Sequence, residues 1–184
     1  MARLPYLEPS DLSPENRDLL ARNVNLYRAL AHSPDGTRSF LQHVRYFRFH
    51  SRLDPRLREL AILQVGYAAR SPYEFSHHIR IGRDFSVSDE DIRAIADETE
   101  GRPTRLEPLA KAVLRAAREL TLGPTVSDET FAALKGGLDN GQLADLMLAI
   151  SFYTGVVRLL SALQIDVEED YQRYLKEFPL PPAG

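Results

Sequence analysis

The sequence predicts an all-α fold, and three observations support this prediction. Strand signals are nearly absent along the chain. Helix starts recur, in which a serine, aspartate or asparagine precedes a proline or a first-turn acid. Between these starts the apolar residues follow helical spacing. The 184 residues, 43% hydrophobic and 27% charged, fit one soluble globular domain, residues 1–184, with a full core.

The helix starts order the chain. Ser13 and Asp54 each precede a proline, which is favourable at the first helical position. Ser71 and Glu74, around Pro72, form the pattern of a capping box. Further N-caps are predicted at Ser88, Ser127 and Asn140. The predicted helices span residues 14–31, 36–51, 55–69, 72–83, 89–97, 104–121, 128–136, 141–163 and 167–177.

The apolar segments indicate which helices are buried. Residues 57–67 carry a broad apolar face, and residues 106–117 carry a second apolar stripe. Residues 143–163 are long enough to span a bilayer, but Asp145 and Arg158 interrupt them. We therefore expect a buried central helix there and no membrane span. A helix this apolar needs cover on nearly every side, so we also expect a homo-oligomer.

Composition narrows the function classes. The net charge is −3 and no basic block stands out, so we expect neither a nucleic-acid partner nor an anionic membrane as partner. The absence of cysteine rules out disulfides, thiolate nucleophiles and cysteine-based metal sites. The N-terminus has no apolar core of signal-peptide type, which predicts a cytoplasmic protein. Residues 178–184, with three prolines, are predicted to form a loose tail.

One predicted helical hairpin, residues 55–83, carries the candidate chemistry. Glu74 and His78 are four residues apart and share a helix face. A turn at Arg70–Ser71 would bring Glu59, on the preceding helix, to that same face. A carboxylate beside an imidazole in an apolar setting can transfer protons near neutral pH. Glu59, Glu74 and His78 are therefore the predicted catalytic groups.

Structural roles compete with this interpretation. Ser71 and Glu74 could serve only as a capping box, and Glu59 as an acid near the start of its helix. His77 points about 100° away from His78 and is predicted to lie at the surface or at a subunit contact. No spaced histidine pair indicates a metal site, and no glycine-rich loop indicates a nucleotide cofactor. We therefore expect neither a metal nor a cofactor.

Four further residues are candidates for substrate binding. Arg158 lies in a very apolar segment and needs a partner, which could be an anionic ligand or Asp145. Arg45 is a second anion-binding candidate. Ser71 and Tyr67 are candidate pocket residues, although capping and core packing are their structural alternatives.

At these residues the sequence resembles the carboxymuconolactone decarboxylase family, the larger group that includes alkylhydroperoxidase D-like proteins. The resemblance rests on Arg56–Leu60, then Tyr73-Glu74-Phe75, His78 and Gly82, and later on Phe152–Arg158. It implies a core over residues 51–165 with an N-terminal helical extension over residues 1–50. It also implies an alkylhydroperoxidase D-like helical bundle that assembles as a trimer or hexamer without a cofactor.

The cysteine positions separate two branches of that family. The peroxidase branch carries a glutamate, a Cys-x-x-Cys pair and a histidine. Here Ser71 and Glu74 stand at the two cysteine positions, between Glu59 and His78. Because both redox sulfurs are missing, thiol peroxidase and disulfide reductase activities are excluded at this site. The sequence resembles the decarboxylase branch better.

By this resemblance His78 would be the general acid/base, and Glu59 and Glu74 would orient it or move the proton. The implied substrate is a small carboxylated lactone or a related aromatic ring-cleavage product that loses CO2. Two alternatives stay open. One is another carbon–acid enzyme, such as an isomerase, a hydrolase or an oxygen-using enzyme. The other is a non-catalytic oligomeric binding protein in which these residues only cap and pack.

Overall fold

The computed structural model describes residues 2–181, and that stretch is helical without a β-strand, which confirms the predicted all-α fold. Two short 3-10 helices, Pro9–Asp11 and Pro14–Leu20, precede the α-helices. The α-helices are α1 Asn25–Leu30, α2 Pro34–Phe49, α3 Pro55–Ala68, α4 Pro72–Asp84, α5 Asp89–Thr99, α6 Pro108–Leu122, α7 Asp128–Lys135, α8 Asn140–Leu163 and α9 Glu169–Glu177.

Half of the six predicted N-caps show the predicted capping chemistry, whereas Ser13 and Ser71 make no capping hydrogen bond with their side chains. The side chains of Asp54, Ser88 and Ser127 each accept a hydrogen bond from a backbone N–H of the first turn. The cap of α8 is Asp139 rather than the predicted Asn140, and it forms a capping box with Gln142. Helix α6 begins at Pro108 and not at the predicted residue 104, and the proline occupies its first turn.

Helix α3 is the central helix of the fold. It packs against α4, α5, α6 and α8, and every residue from 57 to 67 is buried. This run includes Arg58, Glu59 and Gln64, so three polar side chains are carried into the core by their position on α3. The prediction that residues 143–163 form the central buried helix is therefore wrong, because α8 packs on α3 and α6 and leaves one face exposed.

Helices α3 and α4 form the predicted antiparallel hairpin. Arg70 adopts a left-handed conformation (φ 51°), and the Ser71 N–H donates to the Gly66 carbonyl at 2.8 Å, which closes the turn. A Cβ at Gly66 would lie 3.0 Å from the backbone nitrogen of Phe75. Gly66 thus permits the close approach of the two helices that carry the candidate site.

The N-terminal region differs from the single helix predicted over residues 14–31. The chain forms a 3-10 helix, extends at Val24 (φ −110°, ψ 149°) and only then enters α1. Glu168, which precedes α9, accepts a hydrogen bond from the Asn25 N–H at 2.6 Å. The Tyr73 hydroxyl accepts another from the Leu26 N–H at 3.1 Å. These contacts satisfy donors at the start of α1 and fix the segment against α4 and α9.

Helix α8 is long and apolar enough to span a membrane by length and composition alone, and 44% of its most apolar window is buried in the fold. Leu148, 56% exposed, lies on its open face.

The predicted loose tail, residues 178–184, is packed at its first residue. Phe178 is buried, and its ring lies under the guanidinium groups of Arg83 and Arg93. Residues 182–184 of the predicted tail lie outside the described residues.

Candidate active site

The candidate site is a cavity between the α3–α4 hairpin, α8 and the N-terminal region. Its empty space is about 610 Å³, part of which is open to solvent. The residues that line it are Arg22, Val24, Leu26, Tyr27, Phe40, Val44, Phe47, Arg48, Arg58, Glu59, Glu74, His77, His78, Ile81, Tyr153 and Val156.

The three predicted catalytic residues meet in this cavity. His78 Nδ1 lies 2.7 Å from Glu59 Oε2, at hydrogen-bond distance, and His78 Nε2 lies 3.0 Å from Glu74 Oε1. The Glu59 and Glu74 side chains are only 3% and 4% exposed. One imidazole therefore lies between two buried carboxylates, one from the preceding helix and one from the preceding turn of its own helix.

Arg58 completes the charge balance on α3. Its Nε donates to Glu59 Oε1 at 3.0 Å and its Nη1 donates to the Phe47 carbonyl at 3.0 Å. Its guanidinium also lies 4.7 Å from the centre of the Phe85 ring. Glu59 is thus held from both sides, with Oε1 on Arg58 and Oε2 on His78. A buried carboxylate needs positive partners of this kind, because they offset its loss of hydration.

The carboxylates set the protonation state of His78. Burial by itself would lower the pKa of the imidazole, but the charges and hydrogen bonds of Glu59 and Glu74 outweigh burial and raise this pKa to about 9. Burial likewise opposes ionisation of Glu59, yet His78 and Arg58 lower the Glu59 pKa below its usual value. At neutral pH the site therefore holds an imidazolium, which is a proton donor.

Two buried tyrosines complete the wall beside the imidazole. The Tyr153 ring meets the His78 ring edge to face, with centroids 5.1 Å apart. Burial raises the pKa of both the Tyr153 and the Tyr27 hydroxyls, so both remain protonated at neutral pH. Burial and nearby charges act on the Tyr153 hydroxyl, and no hydrogen bond contributes to the shift of its pKa. This hydroxyl can therefore donate to a ligand in the cavity.

The capping box predicted at Ser71 and Glu74 is wrong. Ser71 is the N-cap residue of α4, but its side chain makes no capping hydrogen bond. The Glu74 side chain turns instead to His78 Nε2. The same i, i+4 spacing that places Glu74 beside His78 removes it from the helix start, because the buried imidazolium is the stronger partner.

The structure does not bring the predicted substrate-binding residues to this cavity. Ser71 and Tyr67 are buried elsewhere, and Tyr67 packs edge to face on Phe75 at 5.6 Å. Arg45 is exposed on α2. Arg158 is also exposed and lines a separate surface depression beside the end of α6. The position of a polar residue within or beside an apolar segment therefore does not predict whether it lines the cavity.

Asp145 is not the partner of Arg158. Its carboxylate accepts hydrogen bonds from the Tyr46 hydroxyl at 2.6 Å, the Ser51 hydroxyl at 2.8 Å and the Arg52 backbone N–H at 2.8 Å. Asp145 therefore ties the α2–α3 connection to α8.

His77 is buried, which corrects its predicted surface position. Its ring stacks between Tyr73 and Tyr171, with centroid distances of 4.1 and 3.7 Å. Its Nδ1 lies 2.9 Å from the Tyr73 carbonyl and its Nε2 lies 3.2 Å from Glu168 Oε2. His77 thus connects α4 with the start of α9, and the adjacent histidines have separate sets of partners.

Sequence reasoning missed the arginines of the cavity. Arg58 adjoins Glu59 and could have been considered as its counter-ion. Arg48 has no predicted role, and Arg22 falls in the continuous helix predicted over residues 14–31, which does not form. Only the three-dimensional fold brings these two side chains to the hairpin. Among residues 2–181 no three acidic or histidine side chains are arranged to hold a metal ion.

Comparisons with known proteins agree with the predicted resemblance. Residues 34–119 match the carboxymuconolactone decarboxylase family. The match contains Arg58, Glu59, Glu74 and His78 and begins within the region predicted to be an N-terminal extension. A search of curated proteins gave no match.

Solved structures share the fold over nearly the whole chain. An alkylhydroperoxidase AhpD core protein, an uncharacterized peroxidase-related protein from Ralstonia eutropha JMP134, is 19% identical, with a TM-score of 0.80 and coverage of 98% of each chain. The debrominase Bmp8, as a point variant in complex with 2,3,4-tribromopyrrole, is 16% identical, with a TM-score of 0.80 and coverage of 97% of this chain and 98% of that one.

A peroxidase-related protein from Silicibacter sp. TM1040 is 17% identical, with a TM-score of 0.74 and coverage of 92% of each chain. At these identities the structures establish the fold and not the reaction. Residues 34–119, just under half of this cysteine-free chain, thus match the carboxymuconolactone decarboxylase family, and the chain has the alkylhydroperoxidase D-like fold.

Proposed function

We propose that this protein is a cofactor-independent enzyme that decarboxylates a small carboxylated lactone or a related ring-cleavage product by proton transfer. The observation that carries the proposal is the His78 imidazolium, held between Glu59 and Glu74 at the wall of a largely apolar cavity. Such a group is a general acid already protonated at neutral pH.

The reaction needs an electron sink and a proton donor. When the bond between the ring carbon and the carboxylate breaks, CO2 leaves and the electron pair passes into the conjugated lactone carbonyl, which becomes an enolate. His78 then donates its Nε2 proton to the carbon, and the electron pair of the enolate forms the new C–H bond. Solvent re-protonates the neutral imidazole, which both carboxylates favour.

The two carboxylates have different roles in this scheme. Glu59 holds Nδ1 through a short hydrogen bond and is itself fixed by Arg58, so it orients the ring. Glu74 stabilises the charge on the Nε2 side, where the cavity gives access to a substrate. The Tyr153 hydroxyl donates to the enolate oxygen as negative charge develops there.

The similar debrominase supports a small-molecule substrate, because that protein was crystallised with a tribrominated pyrrole. The proposed reaction uses an imidazolium and no thiolate, since this chain carries no cysteine. Other carbon–acid reactions, such as isomerisation, could use the same imidazolium without release of CO2. Analysis of the products therefore distinguishes decarboxylation from these reactions.

The test is a turnover screen of the purified protein with carboxylated muconolactones and related cyclic enol esters. In D2O we expect CO2 release and one solvent deuterium at the carbon that lost it, measured by mass spectrometry. His78→Asn should lower kcat by about 10²–10⁴-fold. A product of unchanged mass would contradict decarboxylation and favour isomerisation. Ligand binding without turnover, unchanged in His78→Asn, would favour a binding protein.

A further inference from the structure

We propose that Arg22 and Arg48 form an anion subsite that binds a carboxylate of the substrate. This inference rests on the proposed function for the reaction, but the subsite itself can be tested by binding alone. Arg22 precedes α1 and Arg48 lies near the end of α2, so both reach the cavity from the N-terminal region.

The charges that line the cavity leave these two guanidinium groups uncompensated. Glu59 is paired with Arg58 and His78, and Glu74 is paired with His78. The two negative and two positive charges of that cluster cancel at neutral pH. Neither Arg22 nor Arg48 forms an ion pair with a carboxylate among residues 2–181. The cavity therefore attracts an anion.

Eight of the 20 arginines of this chain form ion pairs among the described residues, whereas Arg22 and Arg48 line the cavity without one. Ion pairs with aspartate or glutamate are formed by Arg28, Arg38, Arg52, Arg56, Arg58, Arg83, Arg102 and Arg115. Arg22 and Arg48 are partly buried, where an unpaired charge is more costly than at the surface. A ligand carboxylate would offset that cost.

Arg22 and Arg48 line the same cavity as Tyr27, Glu74 and His78. The positive charges of Arg22 and Arg48 both lower the pKa of the Tyr27 hydroxyl, against the larger effect of burial, while Glu74 raises it. Both arginines and Glu74, which line the cavity with Tyr27, therefore act on one phenol. Arg48 also lies 5.7 Å from the centre of the Phe85 ring, the same ring that Arg58 covers. A carboxylate between Arg22 and Arg48 would thus lie close to the acid–histidine cluster.

This arrangement assigns specificity to residues outside the acid–base cluster. A bidentate guanidinium–carboxylate contact is strong and fixes the orientation of a planar anion. The carboxylate held there is the one that the substrate keeps, because the carboxylate that leaves as CO2 must depart into a part of the cavity without a counter-charge. The structure therefore predicts preference for substrates with a second carboxylate or an equivalent anion.

Calorimetric titration with adipate and with its neutral analogue adipamide tests the subsite without any turnover. The wild-type protein should bind adipate at least tenfold more tightly than adipamide. Arg22→Gln and Arg48→Gln should each weaken adipate binding about tenfold or more, and Arg48→Lys should retain part of it. Arg45→Gln, which removes an exposed arginine three positions before Arg48 on α2, is the matched control and should leave adipate binding unchanged.

Equal affinity for adipate and adipamide, no binding of adipate, or unchanged affinity in Arg48→Gln would each overturn the subsite. If Arg22→Gln fails to fold, as judged by circular dichroism, Arg48→Gln and Arg48→Lys still decide the question. Charge-dependent binding of adipate without turnover of any lactone would leave the subsite standing and reject only the proposed reaction.

Discussion

Glu59 Oε2 and His78 Nδ1 lie 2.7 Å apart, although 19 positions separate the two residues in the chain. The α3–α4 hairpin brings them together, and its tight turn leaves little freedom in their alignment. The acid–histidine contact is therefore built into the core rather than into a loop. A rigid, buried placement of this kind suits a group that must present one proton in one direction.

The first prediction concerns the titration of His78. Because its pKa in the folded protein is raised to about 9, above the usual 6.5, the imidazolium stabilises the fold fully below pH 6.5. This contribution, on the order of 3 kcal/mol, is lost as the pH rises through 9. NMR titration of the imidazole and urea unfolding between pH 6 and 9.5 measure both effects. A His78 pKa near 6.5 would contradict the paired geometry.

The second prediction separates the two carboxylates. Glu59→Gln leaves Arg58 without its buried counter-ion and weakens the partner of His78, so it should lower the free energy of unfolding by about 3–5 kcal/mol. Glu74→Gln removes only one of two carboxylates from His78 and should cost less. Chemical denaturation of the two isosteric variants makes the comparison. Equal losses of unfolding free energy in the two variants would show that Arg58 does not need Glu59 as its counter-ion.

The third prediction concerns the hydroxyl of Tyr153. Tyr153→Phe keeps the ring against His78 and removes only the hydroxyl, whose pKa shift involves no hydrogen bond. Stability should therefore change by less than about 1 kcal/mol, while kcat should fall about 10- to 100-fold through loss of enolate stabilisation. Steady-state kinetics and thermal denaturation of the same preparation measure both. A kcat of Tyr153→Phe equal to that of the wild-type protein would show that the Tyr153 hydroxyl takes no part in the mechanism.

The fourth prediction concerns the contact between α3 and α4. Gly66→Ala places a methyl group 3.0 Å from the Phe75 nitrogen and should destabilise the fold by about 1–3 kcal/mol. The matched control is Gly155→Ala on α8, where a Cβ meets no atom within 4 Å. That substitution should be neutral or stabilise the helix by up to about 1 kcal/mol. Denaturation midpoints compare the pair, and equal tolerance would show that the hairpin has more space than described.

The fifth prediction concerns assembly. Leu148 is 56% exposed on an apolar α8 that is only partly covered by its own chain, so we expect self-association as a trimer or hexamer through this face. Leu148→Glu should shift the protein towards monomer, whereas Arg45→Glu on the exposed part of α2 should not. Sedimentation at micromolar concentration measures the distribution. A monomeric wild-type protein would contradict this assignment.

The sequence predicts the local features of the fold well, because helix starts and apolar spacing are local signals. The i, i+4 spacing of Glu74 and His78 and the short turn at Ser71 were enough to place three groups at one site. The sequence could not show that Glu74 would prefer His78 to the helix start, since that choice depends on burial. It also could not show that α3 rather than α8 is central, because both helices are apolar.

The N-terminal region shows a second limit of sequence reasoning. Residues 14–31 have helical composition, yet the chain extends at Val24 because Glu168 and Tyr73 satisfy the first N–H groups of α1 from distant elements. Arg22 reaches the cavity only as a result of that break. No local pattern near Arg22 could have predicted the contact between Asn25 and Glu168, which are 143 positions apart along the chain.

The hydrogen bond from the Asn25 N–H to Glu168 has a consequence for how new specificities could arise. The acid–histidine cluster belongs to the segment that matches the family, whereas residues 22–27, which that bond anchors, do not. Exchange of this short stretch between homologous proteins would alter which molecules are admitted and leave the proton donor untouched. Recognition and chemistry can thus diversify independently, as long as the carboxylate that fastens the exchanged stretch is kept.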